Sequence, residues 1–366
     1  MGKYTAIDDP SAYFQSTLYS GDSSNSTVIT NIGNSNLQPD FIWIKSRNEG
    51  NAGTGGHMLF DSSRGIKSTT GSDSPFLVTN SESGDQTNAN ALQAVSTDSF
   101  TPGSMTRTNE TGDTYVAWQW KGNSGTTASN SDGNITSTVQ ANTTSGFSIV
   151  TWTGDGSASG KNVGHGLGAV PKFIISKDRN GTSELPGWYA YHVNVGAEHQ
   201  LQLTTNAIAD SPLWGDTVPT SSVFSVGGEG IYLNTNQNNI NYIAYVFTDV
   251  QGFSKFGAYK GNSATDGTFV YTGFKPKWLV IKSTQANMQW DIFDSTISTS
   301  NVMDDYFGAN VADPRGASAT KNVDFLSNGF KWRYNNNTNF SDHTYVYAAF
   351  AENPFVTSTG IMGTAR

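Results

Sequence analysis

The stretch Pro171–Lys177, PKFIISK, occurs in this chain three times with small changes. Its two relatives are Pro39–Lys45, PDFIWIK, and Pro276–Lys282, PKWLVIK. Each reads as proline, any residue, an aromatic residue, Ile or Leu, any residue, Ile or Ser, and lysine. Seven positions kept in register three times do not arise readily by chance, so this stretch defines an internal repeat.

Two further patterns accompany every copy of the stretch, one upstream and one downstream. The upstream landmarks are two aromatic residues and a glycine, namely Phe14, Tyr19 and Gly21, then Phe147, Trp152 and Gly154, then Phe253, Tyr259 and Gly261. The downstream landmarks each contain a tyrosine and lie at Thr114–Trp118, Asn241–Tyr245 and Thr344–Ala348. Three ordered landmarks in three copies predict three tandem domains of about 100 residues each.

The landmarks also set the predicted boundaries along the chain. These are a leader at 1–12, copy 1 at 13–121, a linker at 122–145, copy 2 at 146–250, copy 3 at 251–353 and a tail at 354–366. The 122–145 stretch is rich in Gly, Ser, Thr and Asn, which is typical of a linker or a long exposed loop. Copies 2 and 3 follow one another without a linker, so we expect them to pack tightly or to share a sheet edge. The tail is small and polar, and we expect only a neighbour to order it.

The apolar runs are short and are separated by clusters of Gly, Asn, Asp and Ser. Phe147–Trp152 and Tyr242–Phe247 are examples, and both are rich in aromatic and β-branched residues. No helical stripe of ten or more residues stands out. The pattern predicts an all-β fold of three tandem antiparallel β-sandwich domains of the jelly-roll or lectin-like kind.

Each repeated stretch is interpreted as the central strand of its domain. Pro39, Pro171 and Pro276 are expected at strand starts, because proline lacks the N–H that a mid-strand position must donate. Alternation places Phe41, Trp43 and Lys45 on one face and Ile42 and Ile44 on the other. Since both faces carry large apolar groups, we expect both to be covered.

Composition narrows the classes of partner. The net charge of −9 disfavours nucleic acid or an anionic membrane as the main partner, and the 12% aromatic content is too high for a disordered polar chain. Without cysteine there are no disulfides or thiolate metal sites.

The first residues lack the apolar core of a secretion signal, and no apolar run reaches the length of a membrane span, so membrane insertion is not predicted. A polar, aromatic-rich chain without a signal fits a particle released by lysis, such as a virion.

No catalytic residues are predicted. Ser, His and Asp are plentiful and therefore uninformative, no nucleophile-elbow or nucleotide-binding motif is present, and none of the seven glutamates recurs at one position in all three copies. The shared residues are aromatics and glycines, which favours a non-enzymatic scaffold. A carboxylate pair for glycoside hydrolysis stays open as an alternative.

Metal and cofactor sites are weakly indicated at most. The turns Gly154–Ser157 and Asp132–Asn134 have the oxygen ligands that Ca²⁺ prefers, but tight turns with positive φ explain them better. His192 and His199 lie seven residues apart in a region that does not look helical, so a metal site there is also weak. We predict no cofactor, with Ca²⁺ as the weak alternative.

A glycan ligand would be held by exposed rings beside amides and carboxylates. The candidates outside the repeated strands are Trp188, Tyr189, Trp214, Trp290 and Trp332. The alternative, which we favour, is that each ring fills the core or a contact between domains.

The segments Leu59–Gly65 (LFDSSRG) and Gly112–Lys121 (GDTYVAWQWK), with Asn80 between them and the opening Tyr4–Gln15, resemble a motif set of structural proteins of tailed phages, many of them marine. The resemblance implies a lectin- or concanavalin-like β-sandwich on the virion, often in tail or fibre parts, and brings no catalytic residues with it. Copy 2 has Tyr191-His192 in place of Phe60-Asp61, and copy 3 has Phe293-Asp294 without the Arg-Gly. Asp61 and Arg64 are therefore interpreted as a pair that fixes a loop, and a ligand site built on them would be lost from copies 2 and 3.

These observations predict a virion-surface protein on the tail or head exterior, acting as a tail fibre, adhesin or decoration component through multivalent contact. Expected partners are other virion proteins, further copies of the chain (a homotrimer, by analogy with fibres) and a host cell-surface glycan. Two alternatives stay open. One is an architectural head decoration without receptor binding, and the other is a glycosidase that depolymerises host surface polysaccharide.

Overall fold

The computed structural model describes residues 4–48, 55–66, 73–157, 160–183, 186–204, 208–210, 213–227, 234–285 and 288–364. The fold is all-β, with 44% strand and 3% helix, and its sheets are antiparallel. The longest helix among these residues, Thr106–Asn109, has four residues. The predicted β-sandwich class is confirmed.

The three copies contain the following elements in their described parts. Copy 1 has a 3₁₀ helix at Pro10–Ala12, β1 Phe14–Ser20, β2 Ile29–Thr30, β3 Phe41–Ser46, β4 Met58–Asp61, β5 Ser74–Val78, β6 Gln86–Asn88, β7 Leu92–Ser96, β8 Ser99–Pro102, α1 Thr106–Asn109 and β9 Thr114–Trp120. The next part has β10 Ala128–Asn130, β11 Ser137–Asn142, β12 Phe147–Thr153, β13 Lys161–Gly164, β14 Phe173–Asp178, β15 Trp188–His192, β16 His199–Gln202, β17 Ile208–Asp210, β18 Val223–Val226 and β19 Asn241–Phe247. Copy 3 has β20 Ser254–Lys260, β21 Phe269–Tyr271, β22 Phe274–Ser283, β23 Trp290–Asp294, β24 Asp305–Gly308, β25 Gly316–Ala317, β26 Val323–Leu326, β27 Gly329–Trp332, a 3₁₀ helix at Asn337–Asn339 and β28 Thr344–Pro354.

The strand order repeats with the sequence. The main sheets run β1-β9-β3-β4-β5-β6, β10-β11-β12-β19-β14-β15-β16-β17 and β20-β28-β22-β23-β24-β25. A smaller sheet belongs to each copy, namely β2-β8-β7, β13-β18 and β21-β27-β26. In every copy the repeated stretch, β3, β14 or β22, therefore lies inside the main sheet, beside the strand that closes the copy.

Each main sheet buries both faces, as the alternation in β3 predicts. Ile42 and Ile44 belong to a core within copy 1, whereas Phe41 and Trp43 belong to a larger core that also contains residues of copies 2 and 3. All six residues of β3 are buried. The three main sheets thus face one another across a shared aromatic core, so the copies depend on each other for burial of apolar surface.

The shared core has an approximate threefold axis. Trp120, Phe247 and Phe350 occupy the same position in their copies, opposite Phe41, Phe173 and Trp278 in the pairing register. The centroids of the three rings are 6.3, 5.6 and 5.7 Å apart (Trp120–Phe247, Trp120–Phe350 and Phe247–Phe350). Because equivalent residues form a near-equilateral triangle, the copies are related by rotation about the line through its centre.

Hydrogen bonds between copies follow the same rotation. In each copy, one ring nitrogen bonds a backbone carbonyl of a neighbouring copy. The ring belongs to the first residue of β15 or β23, or to the residue just before β4. The carbonyl belongs to the last residue of β5, β16 or β24. The three contacts are Trp188 Nε1 to Val78 O at 2.9 Å, Trp290 Nε1 to Gln202 O at 2.9 Å and His57 Nε2 to Gly308 O at 3.0 Å. Copy 2 therefore contacts copy 1, copy 3 contacts copy 2, and copy 1 contacts copy 3.

The predicted linker at 122–145 is wrong. This stretch supplies β10 and β11, and β11 pairs antiparallel with β12, so it extends the main sheet of copy 2. Ile135 and Val139 are buried in the core of that copy. These are the only large apolar residues in 122–145, so the stretch looks like a loop in the sequence although β11 lies between β10 and β12 in the sheet.

The third proline also departs from expectation. Pro39 and Pro171 precede their strands, but Pro276 lies inside β22. The pairing of β22 with β28 shifts register on both sides of Pro276. A bulge of this kind frees the position from donating to the ladder, so proline is tolerated there.

The leader and the tail pack against the rest of the chain. Ile7 lies in the shared core, and Thr5 Oγ1 donates to Gln251 O of copy 3 at 2.8 Å. The backbone N of Ser358 in the tail donates to Asp8 Oδ1 at 2.6 Å. The neighbour that holds the tail is thus the chain's own leader.

Candidate functional site

The assembly of copies has two distinct ends. At the terminal end lie the ring triangle, the leader and the tail. At the loop end, β1, β12 and β20 run out into turns and β9, β19 and β28 begin. Six to seven residues of strand separate the ends, which corresponds to about 20 Å. The loop end presents the same turn from all three copies, and the turns that follow β4, β15 and β23 repeat in the same way at the terminal end.

Each of these turns begins beside a stacked pair of rings. The pairs are Tyr19 with Tyr115 (5.0 Å between centroids, 16° between planes), Trp152 with Tyr242 (5.2 Å, 16°) and Tyr259 with Tyr345 (4.9 Å, 10°). These residues are the aromatic landmarks that define the repeat in the sequence. Their repetition therefore has a packing cause, which is to close the loop end of each sandwich.

In each copy the repeated tyrosine and the repeated glycine contact the backbone of one and the same residue. In copy 1, Glu110 N donates to Tyr115 Oη at 2.8 Å, and a Cβ placed on Gly21 would lie 2.0 Å from Glu110 O. The equivalent N to Oη distances are 3.0 Å for Gln237 and Tyr242, and 3.1 Å for Phe340 and Tyr345. A Cβ on Gly154 or Gly261 would lie 2.2 Å from the matching carbonyl oxygen. Only glycine allows this close approach.

A buried asparagine completes the arrangement, and our sequence analysis missed it. The residues are Asn109, Asn236 and Asn339, at most 1% exposed, each six positions before the repeated tyrosine. Each Oδ1 accepts from the backbone N of the residue after the glycine at 3.1 Å (Asp22, Asp155 and Asn262), and each Nδ2 donates to the carbonyl two residues further on at 2.8–3.0 Å (Ser24, Ser157 and Ala264). The constant spacing from the tyrosine was the signal that could have revealed it.

We call this unit of glycine, asparagine and tyrosine the corner. It fixes a polar turn whose central residue has positive φ in every copy, 56° at Ser23, 75° at Gly156 and 51° at Ser263. The turn is therefore held from beneath by buried hydrogen bonds while its outer residues, such as Asp22 and Asn262, are exposed. Three rigid polar turns at one end form the candidate site.

The Asp-Gly turn of copy 2 is one of these corners, and its geometry explains the aspartate. Asp155 pairs with Lys161 at 2.7 Å and accepts from Ser157 N at 3.0 Å and Asn236 Nδ2 at 3.0 Å. The Lys161 contact lowers the pKa of Asp155 well below its usual range. Within the described ranges, His, Asp and Glu do not gather in threes in a way that would hold a metal ion.

The five candidate aromatic rings all lie inside the protein. Their exposed fractions are 0% for Trp188, 3% for Tyr189, 1% for Trp214, 2% for Trp290 and 0% for Trp332. Trp188 and Trp290 lie in the shared core, Tyr189 and Trp214 in the core of copy 2, and Trp332 in that of copy 3. Because none offers a ring face to solvent, these side chains do not form a sugar-stacking surface in this structure, and each takes the core or contact role.

Asp61 and Arg64 are paired and buried at the boundary between copies 1 and 2. Arg64 Nε lies 2.6 Å from Asp61 Oδ2, and both side chains are 0% exposed. Arg64 also reaches Asp85 at 3.0 Å. Tyr245 of copy 2 donates its hydroxyl to the same Asp61 oxygen at 2.8 Å, and burial raises the pKa of that hydroxyl. The pair thus fixes its loop and also joins two copies.

The equivalent position makes a contact between copies in all three cases, with different chemistry. Asp294 of copy 3 accepts from Trp118 Nε1 of copy 1 at 2.6 Å. His192 of copy 2 instead lies with Nε2 3.1 Å from the backbone O of Tyr347 in copy 3. The position that carries Tyr245 or Trp118 is Ala348 there, so no side-chain donor is present and a histidine replaces the carboxylate.

Comparison with known proteins gives a family without an assigned activity. A family profile described as a domain of unknown function (DUF7483) matches residues 9–354. The chain belongs to this family. The match runs through all three copies as one unit, in agreement with their shared core. No curated protein and no solved structure gave a match.

This DUF7483 chain also has a polar cleft between copies 1 and 3 at the terminal end. Its volume is about 280 Å³, and two carboxylates, Asp9 and Glu352, line it. Asp9 accepts from Ser11 N at 3.0 Å, and Glu352 accepts from Lys275 at 3.2 Å and Ser295 at 3.1 Å. Both carboxylates therefore hold local structure at this cleft. Among the described residues, no helix is long and apolar enough to cross a membrane.

Proposed function

We propose that this protein is a non-enzymatic component of a tailed-phage virion that displays its loop end outward, as part of a tail fibre or adhesin, and contacts a glycan on the host surface. The observation that carries the proposal is the threefold presentation of the corner turns. The resemblance of Leu59–Gly65 and Gly112–Lys121 to phage structural proteins supports the virion setting.

The arrangement of the three corner turns favours multivalent binding, in which several weak contacts form together. Each corner turn is small, polar and held rigidly by a buried asparagine, so little conformational entropy is lost when it binds. Three turns held about one axis bind as a unit, and the second and third contacts then form at a high effective concentration. A surface coated with a repeating polysaccharide offers the matching repeated ligand.

The absence of cysteine from the sequence allows a direct test of which end binds. A single cysteine replaces one exposed loop-end residue, Ser26→Cys, Asn238→Cys or Thr265→Cys, or the exposed terminal-end residue Thr359→Cys. Each variant is coupled to a bulky polyethylene glycol maleimide, and binding to host cells is measured. The three loop-end substitutions are also combined in pairs and all together. We expect a graded loss of binding with one, two and three loop-end labels, and no loss with the label at Thr359. Equal loss from both ends would overturn the assignment of the loop end.

Antibody labelling of intact particles in the electron microscope tests the virion setting. Label on fibres or at the tail tip agrees with the proposal, and label spread evenly over the head indicates decoration and ends the adhesin interpretation. A reducing-end assay on host polysaccharide is run in parallel, because release of sugar ends would show a glycosidase.

A further inference from the structure

Two arginines from different copies lie side by side at the loop end. Arg47 follows β3 of copy 1, and Arg315 precedes β25 of copy 3. The backbone N of Arg315 donates to the backbone O of Arg47 at 2.9 Å. This bond fixes the two residues next to each other, so the proximity of their like charges is built into the interface.

At the interface between copies 1 and 2, the positive charge at the equivalent position is neutralised by a carboxylate. Arg179 is the counterpart of Arg47, two residues after the repeated lysine. There the backbone N of Asp85 donates to Arg179 O at 2.7 Å, and the Asp85 carboxylate accepts from Arg179 Nε at 2.9 Å. An aspartate thus stands in copy 1 where copy 3 has Arg315. Arg179 is thus paired with Asp85, whereas Arg47 has no ion pair among the residues that the structure describes.

One like charge, that of Arg315, and two carboxylates, those of Asp305 and Asp294, act on the Arg47 guanidinium. Arg315 Nε lies 3.4 Å from Asp305, whose other oxygen accepts from Ser298 at 3.0 Å. Asp294, the next carboxylate, is buried and accepts from Trp118. Both carboxylates are thus already engaged, Asp305 by Arg315 and Ser298 and Asp294 by Trp118.

The Nε of Arg47 is a buried donor without an acceptor among the described residues. Burial first, and the Arg315 charge second, lower the pKa of the Arg47 guanidinium. An unmet buried donor of a charged group is costly, and an anion bound beside the two guanidinium groups would offset the repulsion between them.

We propose that Arg47 and Arg315 form a binding site for an anionic group, a carboxylate or sulfate carried by an acidic host glycan. The guanidinium fork matches such groups with two parallel hydrogen bonds, which lysine does not provide. The location at the loop end adds this site to the three corner turns. The inference rests on the proposed function and specifies the chemical class of its ligand.

The test measures binding of three probes to the full chain by calorimetry at low salt. The probes are a dextran sulfate oligosaccharide, a polyuronate oligosaccharide and neutral dextran of the same length. Variants are Arg47→Gln, and Arg315→Asp, which recreates the neutralised arrangement of the next interface. The matched control is Arg333→Gln, which removes the same charge from an arginine already paired with Asp324.

We expect both acidic probes to bind, with affinity lowered about tenfold or more in either test variant, which corresponds to about 1.4 kcal/mol. The control should stay within about twofold. Thermal melting checks folding, and Arg315→Gln replaces Arg315→Asp if the latter does not fold. Equal loss in the control, or equal binding of neutral dextran, would overturn the site. Binding to host cells that persists in the test variants would overturn this ligand class while leaving the adhesin proposal intact.

Discussion

Replacing Tyr245 by phenylalanine removes one hydroxyl group from the contact between copies 1 and 2. That hydroxyl donates to the buried carboxylate of Asp61 at 2.8 Å, and its ring stays in place in the shared core. Asp61 keeps the Nε of Arg64 at 2.6 Å and the backbone N of Arg64 at 2.9 Å. The substitution therefore weakens the contact without leaving the carboxylate alone.

The expected loss in the free energy of unfolding follows from the type of hydrogen bond that is removed. A hydrogen bond to a charged group contributes about 1.5–3 kcal/mol, and the remaining donors place this one near the lower half, at about 2 kcal/mol. With about 2.1 cal/mol/K of unfolding entropy per residue, a chain that melts as one unit shifts its Tm by about 2–3 °C. A copy of about 100 residues that melts alone would shift by about 10 °C. The shared core predicts the smaller shift in a single transition.

Differential scanning calorimetry and urea unfolding give both quantities. The matched control is Tyr13→Phe, since Tyr13 is only half-buried and packs against Phe253 by its ring edge. We expect the control to lose less than about 0.5 kcal/mol. If Tyr245→Phe costs no more than the control, the contact between the copies is not formed as described. Two separate melting transitions would refute the shared core itself.

Three further perturbations test other parts of the structure. Gly21→Ala should lower the free energy of unfolding by about 1–3 kcal/mol, because its Cβ would lie 2.0 Å from a backbone carbonyl oxygen. The control Gly187→Ala, whose Cβ would have its nearest contact at 3.5 Å, should melt at the temperature of the unchanged protein. Trp118→Phe should lower the free energy of unfolding, measured in urea, by about 1.5–3 kcal/mol, because Asp294 loses a buried donor. An unchanged urea midpoint would contradict the contact. Burial lowers the pKa of His192 to about 4, so the unfolded chain binds a proton between pH 6.5 and 4 that the folded chain does not. The stability that His192 contributes should fall by about 3 kcal/mol as the pH falls through this window. His192→Gln should reduce the slope without abolishing it, because burial also lowers the pKa of His57 and of His165.

The sequence predicted those parts of the fold that depend on local pattern. The alternation of Phe41 and Trp43 with Ile42 and Ile44 indicated two covered faces, and the structure has them. The pattern could not say what covers the second face, because a sandwich partner and a neighbouring copy both bury apolar residues. The aromatic content of that face, higher than one sandwich needs, is explained by the shared core.

The site was harder to predict for two physical reasons. Tryptophan was taken as a candidate sugar platform, but Trp188 and Trp290 use their N–H groups to bond carbonyls of neighbouring copies, and this pairing depends on tertiary contact alone. Asn109 and its equivalents looked like ordinary loop residues in an asparagine-rich chain. Only a comparison of the three copies separates these buried, hydrogen-bonded amides from exposed ones.

The contacts between copies differ in chemistry although they occupy equivalent positions, and this difference sets the order of the copies around the axis. In the observed order Asp61 meets Tyr245, Asp294 meets Trp118, and His192 meets the carbonyl of Tyr347. The reverse order would place Asp61 opposite Ala348, without a side-chain donor, and His192 opposite the indole N–H of Trp118.

The contact of Asp61 would then lose its bond to the neighbouring copy, at a cost of about 1.5–3 kcal/mol, whereas a neutral His192 could accept from the indole N–H. A homotrimer of single-copy chains has identical contacts and no such order to encode. Copies joined in one chain are free to differ at each interface, and the interface with His192 and Ala348 differs from the other two. The threefold surface is therefore complete within a single chain, so the predicted homotrimer, if it forms, must use surfaces other than these three.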